Sequence, residues 1–169
     1  IHRACLDAGL DSRYVFIVDS MDPLRRVYDF LSPEYEKYIG VPLAYIPAPN
    51  PDGTPSNGSV SYAEYFLNPF EEALKEIGVF PKMVWNHKTY EDGKFAEMID
   101  KAIGSRQEIR EIIMTVSGRD LPEDWFPYSP RGSNGSMDGV RVTNYEYPFV
   151  YWVDGDGVAG RANIKKADG

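Results

Sequence analysis

Residues 14–18, Tyr-Val-Phe-Ile-Val, form an uninterrupted apolar run of strand length. A strand with one face in water alternates apolar and polar residues. A run without alternation therefore predicts a strand buried on both faces, as in a parallel sheet. The run ends in Asp19 and, three residues on, Asp22, followed by the basic pair Arg25-Arg26. Ligands of open α/β sheets bind beyond the carboxyl ends of the strands, which makes Asp19, Ser20, Asp22 and Arg25 candidate substrate-proximal residues. Aspartate is also a common turn and cap residue, and the motif alone leaves open the plainer reading that Asp19 caps the next turn.

The chain around this run has the punctuation of an α/β layer. Residues 1–10 read as the last turns of a helix stopped by Gly9, so the chain reads as starting in mid-element, as a cut fragment would. Ser32-Pro33-Glu34 has helix-start chemistry, with a stop expected at Gly40. From Pro42 to Gly58 there are five prolines and two glycines, which predicts a long loop with no regular element. Ser61 and Glu64 form a capping box, and Asn68-Pro69 is expected to restart the helix, with Phe70, Ala73, Leu74 and Ile77 on one face. A short strand is expected at residues 82–86. A helix from about Gly93 should carry Phe95, Met98, Ile99, Ala102 and Ile103. A second capping box at Ser105 and Glu108 opens another, striped by Ile109, Ile112, Ile113 and Val116. All these stripes read as core. Strand-then-helix order favours parallel strands.

From Leu121 the character changes. A proline-punctuated connector leads to turn-rich residues 129–139, two strand-like runs at 140–145 and 149–153, and a tight turn at 154–157. The expected division is 1–120 as an α/β part and 121–169 as a small β-rich lobe. Asn57-Gly58-Ser59 and Asn134-Gly135-Ser136 match the glycosylation pattern but read as turns.

The chemistry that the composition allows is narrow. A net charge of −8 argues against binding dominated by nonspecific phosphate contacts, while leaving room for one local basic patch. The single cysteine, Cys5, excludes an internal disulfide and suggests a reducing, cytoplasmic setting. No apolar run approaches the ~20 residues of a membrane span. His2 and His87 stand apart from each other, and no glycine-rich phosphate loop precedes a helix. Neither a catalytic triad nor a small nucleotide-binding protein is supported.

Ser61-Tyr62-Ala63-Glu64-Tyr65-Phe66, with Pro69-Phe70-Glu71-Glu72-Ala73-Leu74, resembles the middle of class I lysyl–tRNA synthetases. So do the strand-plus-acid stretch at 15–26 and Leu121-Pro122-Glu123-Asp124-Trp125. The likeness runs over nearly the whole chain and rests on the order and spacing of several modest motifs. It implies part of a Rossmann-type catalytic domain, split by an insertion that carries a zinc ribbon in typical members. Neither the His-Ile-Gly-His nor the Lys-Met-Ser-Lys-Ser signature is present. The resemblance thus implies an internal piece, inactive by itself, of an enzyme that joins lysine to tRNA-Lys through a lysyl-adenylate, using ATP with Mg²⁺. Where members carry paired cysteines, this chain has Arg131 and Asn134, then Val153 and Asp156. Zinc is held by thiolates or imidazoles, so a zinc-free ribbon is expected, kept folded by aromatics such as Tyr145, Tyr147, Phe149, Tyr151 and Trp152. The acidic turn 154–156 lacks the ligand count of a dedicated Ca²⁺ or Mg²⁺ site. Phosphate contacts to tRNA are expected from Arg26, Arg131, Arg141, Arg161, Lys165 and Lys166, each of which also reads as plain solvated surface. The alternative is a stand-alone, non-catalytic module derived from a synthetase that binds RNA or protein.

Overall fold

The computed structural model describes residues 1–166. The chain packs as two compact units: residues 1–38 with 42–87, and residues 39–41 with those from Lys88 onward. The expected change of character at 121 is a change from helices to strands. Packing divides the chain earlier, at 87/88, because the helices that follow share a core with the later strands.

In the first unit, helix α1 (His2–Asp7) precedes strand β1 (Val15–Val18), and helix α2 (Tyr62–Glu76) precedes strand β2 (Lys82–Trp85). β1 and β2 pair in parallel, from Val15 opposite Lys82 to Val18 opposite Trp85. The parallel pairing agrees with the sequence pattern, but burial on both faces does not hold. Val18 is buried while Val15 and Ile17 are exposed, Ile17 at 63 %. The sheet has two strands, and Phe70 of α2 covers the Phe16 side, with ring centroids 5.0 Å apart.

The capping box at the start of α2 forms in full: the Glu64 amide donates to Ser61 Oγ (3.2 Å) and the Ser61 amide to Glu64 Oε2 (2.9 Å). The expected restart at Asn68-Pro69 is absent, since α2 runs straight through Pro69. One proline inside a helix removes a single hydrogen bond, and the surrounding turns carry the rest. The segment after Ser32 is a 3₁₀ helix, Pro33–Tyr38.

Contrary to expectation, the proline-rich loop keeps regular structure and is packed. It holds a 3₁₀ turn at Leu43–Tyr45 and isolated bridges Pro47–Ser61 and Pro49–Pro55. Ile46 and Ala48 are buried with Leu24, Leu31, Tyr35 and Tyr62. Prolines remove donors without preventing the remaining amides from pairing: Tyr62 N–H donates to the Ile46 carbonyl (2.7 Å) and Ala48 N–H to Val60 (2.9 Å). The Tyr35 hydroxyl donates to the Pro47 carbonyl at 2.9 Å, and burial pushes its pKa up to about 12. Tyr35→Phe should cost about 1 kcal/mol in denaturant unfolding, because it takes the donor from that half-buried carbonyl.

The second unit contains α3 (Asn86–Glu91) from Lys88 on, α4 (Ala96–Gly104), α5 (Arg106–Ser117) and an antiparallel sheet. Its strands are β3 (Arg141–Glu146), β4 (Phe149–Val153) and β5 (Ala159–Asn163), in the order β3-β4-β5. Ala96 and Ile103 of α4 share a core with Val142, Val150 and Ile164, and Phe126 and Tyr128 of the connector pack against it. Tyr145 of β3 donates to Asp100 of α4 at 2.7 Å. Burial, and then this carboxylate, push the tyrosine pKa upward. The second capping box does not form. Ser105 already ends α4 with a near-helical backbone (φ −99°, ψ 16°), and a cap hydroxyl needs an extended one.

The apolar stripes are only partly core. Met98, Ile112, Phe70 and Ile77 are exposed, and Val116 reaches 82 %. Periodicity says that a helix has an apolar face; it does not say what covers it. Among the described residues, no helix is long and apolar enough to cross a membrane.

Candidate functional site

Parallel pairing brings the carboxyl ends of β1 and β2 to one edge, so the residues that follow each strand meet. Asp19 and Ser20 follow β1; Asn86 and His87 follow β2. Asn86 Nδ2 donates to Asp19 Oδ1 at 2.9 Å. Ser20 is 1 % exposed; its Oγ lies 2.7 Å from His87 Nδ1 and accepts the His87 amide at 3.2 Å.

The 3₁₀ turn at Leu43–Tyr45 docks onto the same edge. Leu43 N–H donates to the Asp22 carbonyl (2.9 Å) and Ala44 N–H to the Ser20 carbonyl (3.0 Å). The turn sets the Tyr45 ring edge-on to His87, at 6.1 Å, while Trp85 approaches the imidazole at 5.6 Å. Tyr45 also lines a cleft of about 350 Å³ with Tyr38, Ile46, Pro47, Asn57 and Ser61. The edge offers two exposed carboxylates, Asp19 and Asp22, with aromatic rings and a Ser–His pair in which Ser20 is buried and His87 half-buried. Acceptors and rings in that arrangement suit a ligand bearing an amino group or other cation.

Of the expected residues, Asp19, Ser20 and Asp22 gather here, Asp22 through its carbonyl. Arg25 lies exposed beyond them. His87 was missed, since in sequence it stands alone. The available signal was its place directly after the strand expected at 82–86, the end that parallel pairing sets beside the residues following the first strand.

The expected phosphate-contact residues are spread over both units. In the first, Arg26 lies over the Tyr28 ring, 4.8 Å from its centroid. In the second, Arg141 pairs with Asp124 at 3.3 Å, both well exposed. Arg161 and Lys165 lie over Phe149 and Tyr147, at 4.5 and 4.8 Å. Arg131 is half-buried and Lys166 exposed.

The turns at 131–135 and 153–157 meet on a carboxylate. Asp154 is buried, and its Oδ2 accepts from the Ser133 amide (3.1 Å) and hydroxyl (2.6 Å). Its Oδ1 accepts from the amides of Asp156 (3.1 Å) and Val158 (2.9 Å). These bonds, the Ser133 hydroxyl foremost, hold its pKa below the usual carboxylate value. The residues here do not fit zinc: Arg131, Asn134, Val153 and Asp156 offer no thiolate or imidazole, and the central carboxylate is saturated by donors. Among the described residues, no three His, Cys, Asp or Glu side chains gather as a metal-holding group.

A family model described as tRNA synthetases class I (K) matches residues 1–169. The lysine–tRNA ligase of Thermoplasma acidophilum is 38% identical over 170 aligned positions, covering all of this chain and 32% of the relative. That of Archaeoglobus fulgidus is 40% identical over 162, covering 95% of the chain and 32% of the relative. Lysine–tRNA ligase 1 of Methanosarcina acetivorans is 38% identical over 146, covering 86% and 26%. The chain spans about a third of the length of the curated relatives it matches. With a family model matched end to end, over an α/β unit whose parallel strands end in a polar edge, the chain belongs to the class I (K) tRNA synthetases.

Proposed function

We propose that the protein containing this chain is a lysine–tRNA ligase, which activates lysine with ATP and Mg²⁺ and passes the lysyl group to tRNA-Lys. The observation that carries the reading is end-to-end similarity to proteins named for that activity, at 34–40% identity. In this reading residues 1–120 belong to the Rossmann-type catalytic domain. Residues 121–169 are its inserted ribbon-like lobe, with the Asp154 carboxylate joining the two turns in place of a metal. The strand-end edge is the substrate-proximal part: Asp19 and Asp22 face the amino-bearing substrate, and the Ser20–His87 pair fixes the strand ends beneath them. Arg25 is proposed for the same edge. Arg26, Arg131, Arg141, Arg161, Lys165 and Lys166 are proposed for the tRNA backbone.

The test is aminoacylation by the full-length protein, with each amino acid offered in turn. Lysine alone should be attached, and Asp19→Asn should lower kcat/KM for lysine by about tenfold, the loss of one charge-assisted contact. Charging of tRNA with a different amino acid, or with none, would overturn the assignment.

A further inference from the structure

The segment that follows Asp22 and the outer face of α2 bring four aromatic rings to the surface side by side. Tyr28 and Phe30 stack almost parallel, 11° apart in plane with centroids at 5.8 Å. Phe30 meets Phe66 at 5.7 Å, and Phe66 meets Tyr65 at 5.0 Å. All four rings are exposed, Phe30 at 54 %. The buried Tyr62 ring backs the row, 4.6 Å from Phe66, and so ties it to the core of this unit. At the Tyr28 end stands the Arg26 guanidinium. None of these rings belongs to the strand-end site.

Contiguous exposed apolar surface marks a binding face. The kind of partner follows from what accompanies the rings. A purely apolar partner calls for aliphatic neighbours and no charge. Residues 25–31 instead carry two arginines against one aspartate, a local charge of +1 in a chain of −8. Ring faces beside a guanidinium are the combination that holds unpaired nucleotides: each base has a π-face to stack, and the cation meets the backbone phosphate. We propose that Tyr28, Phe30, Phe66 and Tyr65, with Arg26, form a stacking platform for unpaired nucleotides of RNA. The inference rests on the tRNA-ligase reading and deepens it, by assigning a surface of the first unit to a single-stranded stretch of the tRNA.

The experiment uses the full-length protein and two fluorescein-labelled RNA hairpins, one with an unpaired 3′ tail and one blunt-ended. Phe30→Ala and Phe66→Ala should each weaken binding of the tailed hairpin about tenfold and leave the blunt one unchanged, whereas Phe30→Trp should retain tail binding. Equal loss on both hairpins, or no loss on either, overturns the platform. The Trp introduced by F30W is also a reporter, whose emission the tailed hairpin should quench. A blue-shifted emission shielded from acrylamide before RNA is added would mean that another part of the protein, or a protein partner, covers the row, and would overturn it too. Lysine charging of tRNA by the unsubstituted protein separates the two failures. Charging with hairpin binding indifferent to Phe30 and Phe66 sinks the platform alone, while absence of charging sinks the ligase reading.

Discussion

Replacing Asp154 by alanine should unfasten both turns of the β lobe at once, raising hydrogen exchange at the Ser133, Asp156 and Val158 amides by about tenfold or more. Four donors lose their acceptor in this one substitution, two from each turn. Asp154→Asn should be intermediate: its oxygen still serves Asp156 and Val158, but its amide group meets the Ser133 N–H donor to donor. Ser133→Ala, which removes one bond, should do least. The same clamp makes the lobe acid-sensitive. The folded pKa of Asp154 lies below its ordinary value of 3.8. Its stabilisation is therefore complete above about pH 4 and is lost as pH falls through the lower, folded value. Exchange at these amides should rise in that acid range in the native protein and be flat there in the alanine variant. A chelator should change neither, because the turns are closed by a carboxylate. Chelator-induced opening of the turns would show that a metal holds them and refute the clamp.

Gly160→Val should destabilise the same lobe by about 2–3 kcal/mol through overpacking. Gly160 pairs with Trp152 across β4 and β5, and the indole folds down over the glycine. A Cβ built on residue 160 falls 2.3 Å from Trp152 Cζ2 and 2.7 Å from Cε2 and Cη2. No side-chain rotamer relieves a clash at Cβ, so the ring or the strand must shift. Loss of hydrogen-exchange protection across β4 and β5 measures the cost. Trp152→Leu gives the complementary reading: in its background the valine should cost much less, since neighbours that share a clash are non-additive. Equal costs in both backgrounds would place the strain elsewhere.

Much of this molecule was legible in its residues. The parallel strands at 14–18 and 82–86, the Ser61–Glu64 box, the antiparallel strands β3 and β4 and both Asn-Gly turns follow from local chemistry; β5 does not, since its residues 159–163 hold no apolar run. In the turns, Asn57 Oδ1 accepts from the Ser59 amide and Asn134 Oδ1 from that of Ser136, a purely local contact. Local signals failed where two of them competed. Asn68-Pro69 carries a helix-start signal, yet the capping box and the apolar face of α2 already commit the chain to helix there. Ser105 carries a cap signal, yet the end of α4 claims it first. The five prolines and two glycines of residues 42–58 argue against regular structure, while the other amides of the loop find partners beyond their neighbours.

The sequence by itself determined the elements, the family and the acids at the end of β1, because each depends on neighbours a few residues apart. The tertiary structure decided what meets what. Ser20 and His87 are 67 positions apart and touch only because two strands run parallel. Asp154 and Ser133, 21 apart, touch only because two turns face each other. Exposure too was decided there, for Ile17, Phe30 and Val116 alike, since an apolar side chain records a preference for burial and only packing determines whether it is met.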